Sequence, residues 1–362
     1  MKVKLETFLK EISEKTTCNN QYPVLTSSKS GLYLQSDYFN KQVASKDNTG
    51  YKIIRRGQFT YRAMSDTGEF FPNMLECADV GIVSPAYPVF EITQPDAVNP
   101  EFLKYFFKSD SFQYSISSFA QGSTRTSIKF GKLKTVDIDL PNVERQREIV
   151  FILDKASKLI ESRKEELTEL DELVKARFVE MFGDIIRNDK KWPQFVFSNI
   201  ATSRLGKMLD AKKQTGKYKY PYLANFNVQW FRFELENLNE MDFNEADQVE
   251  FHLKDGDLLV CEGGEIGRCA VWHNEIQPCF FQKALHRVRC NTDMVLPDYL
   301  ARWFQYNCEH GGFASIEGAK ATIAHLPGAK LKLLKVPVPP IELQERFVSF
   351  VAQVDKSKFI KH

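Results

Sequence analysis

The chain has 362 residues, of which 43% are hydrophobic and 27% charged, the balance of a folded globular protein. Its 49 Lys and Arg residues against 47 Asp and Glu leave a formal charge of +2, so any signal for nucleic-acid binding must be local. No apolar run approaches the ~18 residues of a membrane helix, no signal peptide is recognisable, and the seven cysteines lack metal-finger spacing. We therefore expect a reduced, cytoplasmic protein.

The first 140 residues predict a mixed α/β domain. A helix is expected from Pro100 to about Ser118, because proline suits the first position of a helix. Runs of strand-forming residues bounded by turn residues occupy 52–54, 81–84, 89–92 and 136–140.

From Pro141 to Gly183 the sequence predicts one long helix, which we call the arm. Asn142 suits its N-cap, and Gly183 suits its C-terminal stop. Forty-odd residues at about 1.5 Å each give a rod of roughly 60 Å. Apolar residues at alternating three- and four-residue steps form a coiled-coil seam of Ile149, Leu153, Ile160, Leu167, Leu170, Val174 and Met181. A rod of this length cannot bury its seam alone, so we expect a partner helix. A core helix of a larger domain is the alternative.

After a polar linker, residues 183–192, the second half repeats the pattern. A helix is predicted from Pro297 to about Glu309, and a second seam helix opens near Pro340 and runs for about six turns. The glycine-rich segment 262–268 lies between two strands, which favours a hairpin over a phosphate-binding loop. The predicted strands are 220–225, 258–261, 269–272, 284–290 and 333–338.

An internal repeat organises the whole chain. Residues 22–25 recur at 220–223, 100–103 at 297–300, and 140–146 at 338–344, all at offsets of 197 or 198. A nearly constant offset over the whole length indicates two copies of one unit. We predict an α+β protein with two tandem mixed α/β domains, each followed by a helix: 1–140 and 141–183, then 184–338 and 339–362.

Basic residues cluster at matched positions in the two copies. Acid-free runs precede both seam helices: Arg125, Lys129, Lys132 and Lys134, then Lys320, Lys330, Lys332 and Lys335. Cations hold phosphates while amides and Arg read base edges, so the clusters together favour nucleic acid, although any single lysine fits a solvated surface equally well. Asn225, Asn227 and Gln229 alternate along a predicted strand, whose one face would present amides. The predicted DNA contacts are Arg55, Arg56, Arg62, Arg125, Lys207, Lys212, Lys213, Lys217, Lys219, Asn225, Asn227 and Lys320.

Catalytic motifs are missing from the sequence. It contains no GxxxxGK[ST] phosphate loop, no HExxH zinc motif and no Asn-Pro-Pro-aromatic or Asp-Pro-Pro-aromatic tetrapeptide of amino-methyltransferases. We therefore assign no catalytic residue and no metal ligand.

Several segments of the sequence resemble a known protein family. The chain resembles, over essentially its whole length, the specificity (S) subunit of type I restriction-modification systems. The segments that carry the resemblance are 81–90, 122–128, 152–155 and 182–184, with 256–260, 267–268 and 355–359 in the second copy.

This resemblance implies two target-recognition domains that each read half of a split DNA site. It implies that the two helical regions pack as an antiparallel coiled coil and act as a spacer. They would also dock two modification (methyltransferase) subunits, and restriction (translocase/nuclease) subunits would join that complex. S-adenosylmethionine, ATP and Mg²⁺ would then belong to the partner subunits, and the complex would act as a site-specific deoxyribonuclease and adenine methyltransferase. One departure is that the second helix is only about half as long as the repeat predicts.

Two other readings remain open. One is a coiled-coil scaffold whose β domains bind protein. The other is a stand-alone nuclease, since Pro95-Asp96 matches half of a PD…(D/E)xK site, but no Glu-x-Lys follows at a useful distance.

Overall fold

The computed structural model describes residues 2–38, 46–119, 126–210, 214–313 and 325–359. The chain divides into two compact units, Met1–Ser162 and Arg163–His362. The boundary falls inside the arm, so each unit consists of one domain and part of that helix. None of the helices in the described ranges is long and apolar enough to cross a membrane.

Unit 1 is built on a four-stranded antiparallel sheet. Its strand order is Leu9–Ile12, Val89–Ile92, Phe59–Thr60 and Asn73–Met74. The rings of Phe59 and Phe90 stack in its core with centroids 5.5 Å apart. The other strands are Lys2–Lys4, Leu25–Ser27, Leu32–Leu34, Lys52–Arg55, Met64–Ser65, Val80–Val83, Thr126–Ser127 and Asp137–Asp139.

The helices of unit 1 correct one prediction. They are Gln35–Tyr38, Pro100–Phe106, Asp110–Ser117, Phe130–Leu133 and the first part of the arm, with a 3₁₀ turn at Leu5–Thr7. The single helix expected from Pro100 to Ser118 is wrong, because the chain is extended at Ser109. The Ser109 hydroxyl caps a new helix by accepting a hydrogen bond from the amide of Phe112 at 3.3 Å.

Unit 2 contains an equivalent four-stranded antiparallel sheet. Its order is Ala201–Leu205, Leu285–Cys290, Leu258–Cys261 and Cys269–Val271. The strands follow each other along the chain in the same sequence as in unit 1, which confirms two copies of one fold. The other strands are Gln194–Val196, Lys219–Leu223, Val228–Gln229, Arg232–Phe233, Asn239–Asp242, Phe280–Phe281 and Lys335–Pro337, and the helices besides the arm are Phe197–Ile200, Glu245–Phe251, Pro297–Glu309, Gly328–Leu333 and Ile341–Phe359.

The arm is a continuous helix, Val143–Phe182, with the predicted ends. The Asn142 side chain caps its start by accepting a hydrogen bond from the amide of Arg145 at 2.9 Å. At its end Gly183 adopts a φ of +74°, a conformation that favours glycine. The indole N–H of Trp192 then donates to the carbonyl of Phe182 at 2.9 Å, which satisfies one of the last free carbonyls of the helix.

In unit 2 the C-terminal helix Ile341–Phe359 packs along the second part of the arm. The rings of Phe178 and Phe347 meet at 5.4 Å, and the Lys358 ammonium bonds to the Asp171 carboxylate at 2.7 Å. Later arm residues therefore contact earlier residues of the C-terminal helix, which confirms antiparallel pairing with a short second helix.

Candidate nucleic-acid interface

Two short basic helices occupy equivalent places in the two units. They are Phe130–Leu133 and Gly328–Leu333, each just ahead of a strand that leads to a seam helix. Lysines at and around them are exposed: Lys129, Lys132, Lys330, Lys332 and Lys335. Arg125 and Lys320, the predicted DNA contacts upstream of the two helices, lie outside the described residues.

Equivalent backbone hydrogen bonds hold the segments that precede these helices. The amide of Ile128 donates to the carbonyl of Ala63 at 3.0 Å, and the amide of Leu326 donates to the carbonyl of Glu262 at 2.7 Å. The two basic helices therefore have matching attachments to their sheets.

The carbonyls at these two attachment points accept from different side chains. The Tyr61 hydroxyl donates to the carbonyl of Ile128 at 3.1 Å, and Nε2 of His286 donates to the carbonyl of Leu326 at 2.9 Å. Burial raises the pKa of the Tyr61 hydroxyl and lowers the pKa of the His286 imidazole. Both groups are therefore neutral donors near pH 7.

The basic segment 204–219 is held by acidic residues from the neighbouring strand and helix. Lys207 is an internal cation, with a side chain 20% exposed and its ammonium 2.6 Å from the Asp247 carboxylate. The Asp242 carboxylate accepts hydrogen bonds from the Thr215 hydroxyl and the Gly216 amide, both at 2.8 Å. Burial alone would raise the pKa of Asp242, but these hydrogen bonds outweigh it and lower the pKa.

Two exposed lysines of this segment lie in the loop anchored by Asp242 and at the start of the strand that follows it. Lys217 and Lys219 are exposed, and no ion pair of either is found in the described part of the chain. Lys212 and Lys213 lie outside the described residues. Of the five predicted lysines in the segment, Lys217 and Lys219 are thus placed as a phosphate contact requires, and Lys207 is not.

Of the four arginines predicted in unit 1, Arg125 is outside the described residues, and the other three lie at the surface in ion pairs. Arg55 is 2.7 Å from Glu14 and Arg56 is 2.8 Å from Asp79. Arg62 is 3.7 Å from Asp66. Their charges are balanced locally, which weakens the case for them as phosphate contacts.

The predicted strand with an amide face is wrong. The strand ends at Leu223, and Asn225–Asn227 form a 3₁₀ turn. Asn227 is 2% exposed, and its side chain accepts from the amide of Ala224 and donates to the carbonyl of Glu234, both at 2.9 Å. Its amide holds the turn together, so the geometry does not favour base reading.

Asn225 also has a local partner. Its side-chain amide donates to the carbonyl of Gly263 at 2.9 Å, which pins the turn to the loop of a hairpin. This loop, 262–268, joins Leu258–Cys261 to Cys269–Val271 as the predicted hairpin. Phe226, between the two asparagines, is exposed.

Sequence reasoning missed a cleft of about 290 Å³ in unit 1. Its lining includes Lys29, Arg62, Met64 and Phe71. The Lys29 ammonium lies 5.2 Å from the centroid of the Phe71 ring and 3.1 Å from Glu69. These contacts join segments about 40 residues apart in sequence, so spacing alone gives no signal for the cleft.

The predicted seam of the arm is covered unevenly. Ile149, Leu153, Leu167 and Leu170 are half-buried, Val174 and Met181 are buried, and Ile160 is exposed. Leu159 is 72% exposed and Ile160 57%, and Phe151 and Ile152 are exposed as well. In unit 1 the arm thus presents an apolar face, Phe151, Ile152, Leu159 and Ile160, which we call the open face.

Comparison with known proteins agrees with this duplicated architecture. A family model described as "Type I restriction modification DNA specificity domain" matches residues 4–172 and 189–362. The chain is 22% identical over 270 residues to the specificity subunit of the type I restriction enzyme EcoKI of Escherichia coli K12, a match that covers 70% of this chain and 58% of that protein. It is 28% identical over 122 residues to the MjaIX specificity subunit of Methanocaldococcus jannaschii, covering 34% of this chain and 28% of that protein.

A solved structure supports the fold. The crystal structure of a type I restriction-modification S subunit from M. genitalium superposes with a TM-score of 0.56 at 15% identity, covering 99% of this chain and 90% of that one. The family model matches both halves of the chain, and each half contains its own four-stranded sheet with the same strand order. This chain therefore belongs to the family of type I restriction-modification DNA specificity proteins and contains two tandem copies of the family's domain.

Proposed function

We propose that the chain selects the DNA sequence for a type I restriction-modification complex, each unit reading one half of a split duplex site. One observation carries this proposal: two copies of one sheet, each with a matched basic helix, are joined by one continuous 40-residue helix. Such an arrangement suits two short DNA elements separated by a fixed number of unread base pairs.

The arm is the proposed dock for two modification subunits, which in turn recruit restriction subunits. Its open face supports this assignment, because it exposes four large apolar side chains within ten residues of one helix, as a surface covered by a partner would. S-adenosylmethionine, ATP and Mg²⁺ are proposed to belong to these partners. In the described ranges, no group of three or more His, Cys, Asp or Glu side chains is arranged to hold a metal ion.

A second candidate is a coiled-coil scaffold whose β domains bind protein. The ion pairs of Arg55, Arg56 and Lys207 favour it, since they reduce the positive charge available to phosphates. The exposed lysines beside the two matched basic helices favour DNA, and we rank DNA first.

The test begins by locating the site. Methylated sequences of cells with and without this gene are compared, and the difference defines the split site. The chain assembled with its modification subunits is then titrated with that duplex and with two duplexes in which one half-site is scrambled, at two salt concentrations.

We expect binding to the intact site to exceed binding to either scrambled duplex by roughly 10³-fold or more, with a steep loss at higher salt. A scaffold predicts no methylation difference and no salt-dependent binding. The chain alone, supplied with S-adenosylmethionine, should not methylate DNA. Detectable methyl transfer by the isolated chain would contradict the assignment of catalysis to partners.

A further inference from the structure

Two glutamines occupy the same position in the two units. Gln146 lies in the first turn of the arm and Gln344 in the first turn of the C-terminal helix, 198 residues later. Both are 0% exposed. A buried carboxamide must satisfy its donors and its acceptor within the protein.

Gln146 makes three hydrogen bonds. Its Oε1 accepts from the amide of Asn99 at 2.8 Å, and its Nε2 donates to the carbonyls of Ala97 at 2.9 Å and Pro141 at 2.8 Å. Asn99 is the N-cap of the domain helix Pro100–Phe106. The side chain thus joins the start of the arm to the start of a helix in its own domain.

Gln344 repeats this pattern. Its Oε1 accepts from the amide of Leu296 at 2.9 Å, and its Nε2 donates to the carbonyls of Met294 at 3.0 Å and Pro339 at 2.8 Å. Leu296 is the N-cap of the equivalent domain helix Pro297–Glu309.

All six partner groups are backbone groups. The two partners in the domain differ between the copies, Asn99 against Leu296 and Ala97 against Met294, and the third is a proline in both. The contact therefore does not depend on the side chains of the domain. Glutamine fits because one planar group supplies one acceptor and two donors. A glutamate there would face two carbonyl oxygens with a carboxylate.

We propose that Gln146 and Gln344 are positioning residues that fix the angle at which a seam helix leaves each recognition domain, and that they thereby set the accepted distance between the half-sites. This inference rests on the proposed function. It explains how domains that differ in sequence hold their helices by the same three hydrogen bonds: each helix is attached to backbone groups.

The arm keeps other attachments to its domain when Gln146 is replaced. The Tyr105 hydroxyl donates to the Asp154 carboxylate at 2.7 Å, and Val150 is buried in the domain core. Gln146→Met retains the volume of the side chain and removes all three hydrogen bonds. We therefore expect a folded protein with a loosened angle.

Gln113 provides a matched control. Its side chain accepts from the amide of Phe70 at 3.1 Å and donates to the carbonyls of Phe70 at 2.8 Å and Phe107 at 3.0 Å. It has the same number and kinds of hydrogen bonds, but all lie within the domain. Gln113→Met should thus weaken unit 1 without changing the angle of the arm.

The first readout needs no DNA. Spin labels are attached in unit 1 at Lys10→Cys on the strand Leu9–Ile12 and at Ser162→Cys on the arm, with the exposed Cys18 and Cys77 replaced by Ser. The distance distribution between the labels should broaden at least about twofold in Gln146→Met and stay unchanged in Gln113→Met. An unchanged distribution in folded Gln146→Met would overturn the proposal.

The second readout uses the assembled complex and duplexes whose spacer is correct, one pair shorter or one pair longer. The wild type should prefer the correct spacer about tenfold, and Gln146→Met or Gln344→Met should reduce that preference to about threefold or less. Both variants should still discriminate against scrambled half-sites. Preserved spacer preference in both variants, or equal loss in Gln113→Met, would contradict the proposal.

The two readouts separate this inference from the proposed function. If the wild-type complex binds no split site while the label distances broaden, the proposed function fails and the positioning role stands. If Gln146→Met does not fold, Gln344→Met still decides the spacer test, because it lies in the other unit.

Discussion

At the scale of single residues, neighbouring cations in one segment have different environments. Lys207 is held between the Asp247 carboxylate and the carbonyl of Asp242, whereas Lys217 is exposed. A phosphate can approach Lys217 at no cost to the fold, but it can approach Lys207 only by breaking internal contacts. The two lysines should therefore respond differently to substitution.

The Lys217→Ala, Lys219→Ala double variant should weaken binding to all duplexes. The slope of log binding constant against log salt concentration, here called the salt slope, should fall by about two, at roughly 0.9 per phosphate contact. Lys207→Ala should instead lower the free energy of unfolding by roughly 1–3 kcal/mol, because Asp247 loses its partner. Binding titrations at several salt concentrations and urea unfolding separate the two effects. An unchanged slope in the double variant would mean that these lysines are only solvated.

His286 predicts a pH dependence. Burial lowers its pKa in the folded protein below the ordinary 6.5, so the unfolded chain binds a proton at higher pH than the folded chain does. The stability that the neutral ring contributes is complete above pH 6.5 and declines as the pH falls from 6.5 to the lower folded pKa. NMR titration of the folded protein should give His286 a pKa below 6.5. Between pH 7.5 and 5.5, two values chosen to bracket the transition, the free energy of unfolding should fall less in His286→Gln than in the wild type. A measured pKa at or above 6.5 would contradict a buried neutral donor.

At the scale of elements, the arm has two kinds of surface. Val174 is fully buried where the arm packs in unit 2, whereas Leu159 and Ile160 belong to the open face in unit 1. Removing apolar atoms from the buried part leaves a cavity and destabilises the protein. Removing them from the open face leaves no cavity, because water fills the space.

We expect Val174→Ala to lower the free energy of unfolding by about 1–3 kcal/mol. Leu159→Ser with Ile160→Ser should leave stability within about 0.5 kcal/mol and weaken binding to the modification subunits. Thermal unfolding and pull-down against the purified modification subunits measure these effects. Unimpaired assembly of the double variant would show that the partners bind elsewhere.

At the scale of the whole molecule, the arm is the proposed ruler between half-sites. A seven-residue insertion preserves the phase of the seam and lengthens the helix by about 10 Å. Sequence alone suggests an insertion after Leu167. The structure favours Ile160, because the C-terminal helix already contacts the arm at Arg163, whose guanidinium donates to the carbonyl of Lys358 at 2.6 Å.

With one heptad inserted after Ile160, the half-sites read should stay the same while the spacer grows by at most about three base pairs, at ~3.4 Å per pair. Binding-site selection with the assembled complex measures the spacer, and circular dichroism checks that the variant is folded. A folded insertion variant that keeps the original spacer would show that the arm docks partners without measuring distance.

Sequence alone determined the repeat, the two ends of the arm and the helix Pro297–Glu309. These features depend on local rules: caps at Asn142 and Gly183, proline at a helix start, and a constant offset between copies. The tertiary structure decided which side chains are free to contact DNA and which are held in internal contacts. Lys207 meets Asp247 forty residues away, Asn227 turns inward, and Gln146 reaches Ala97 across 49 residues. Such partners are set by the packing of segments distant in the chain, and neither periodicity nor composition encodes that packing.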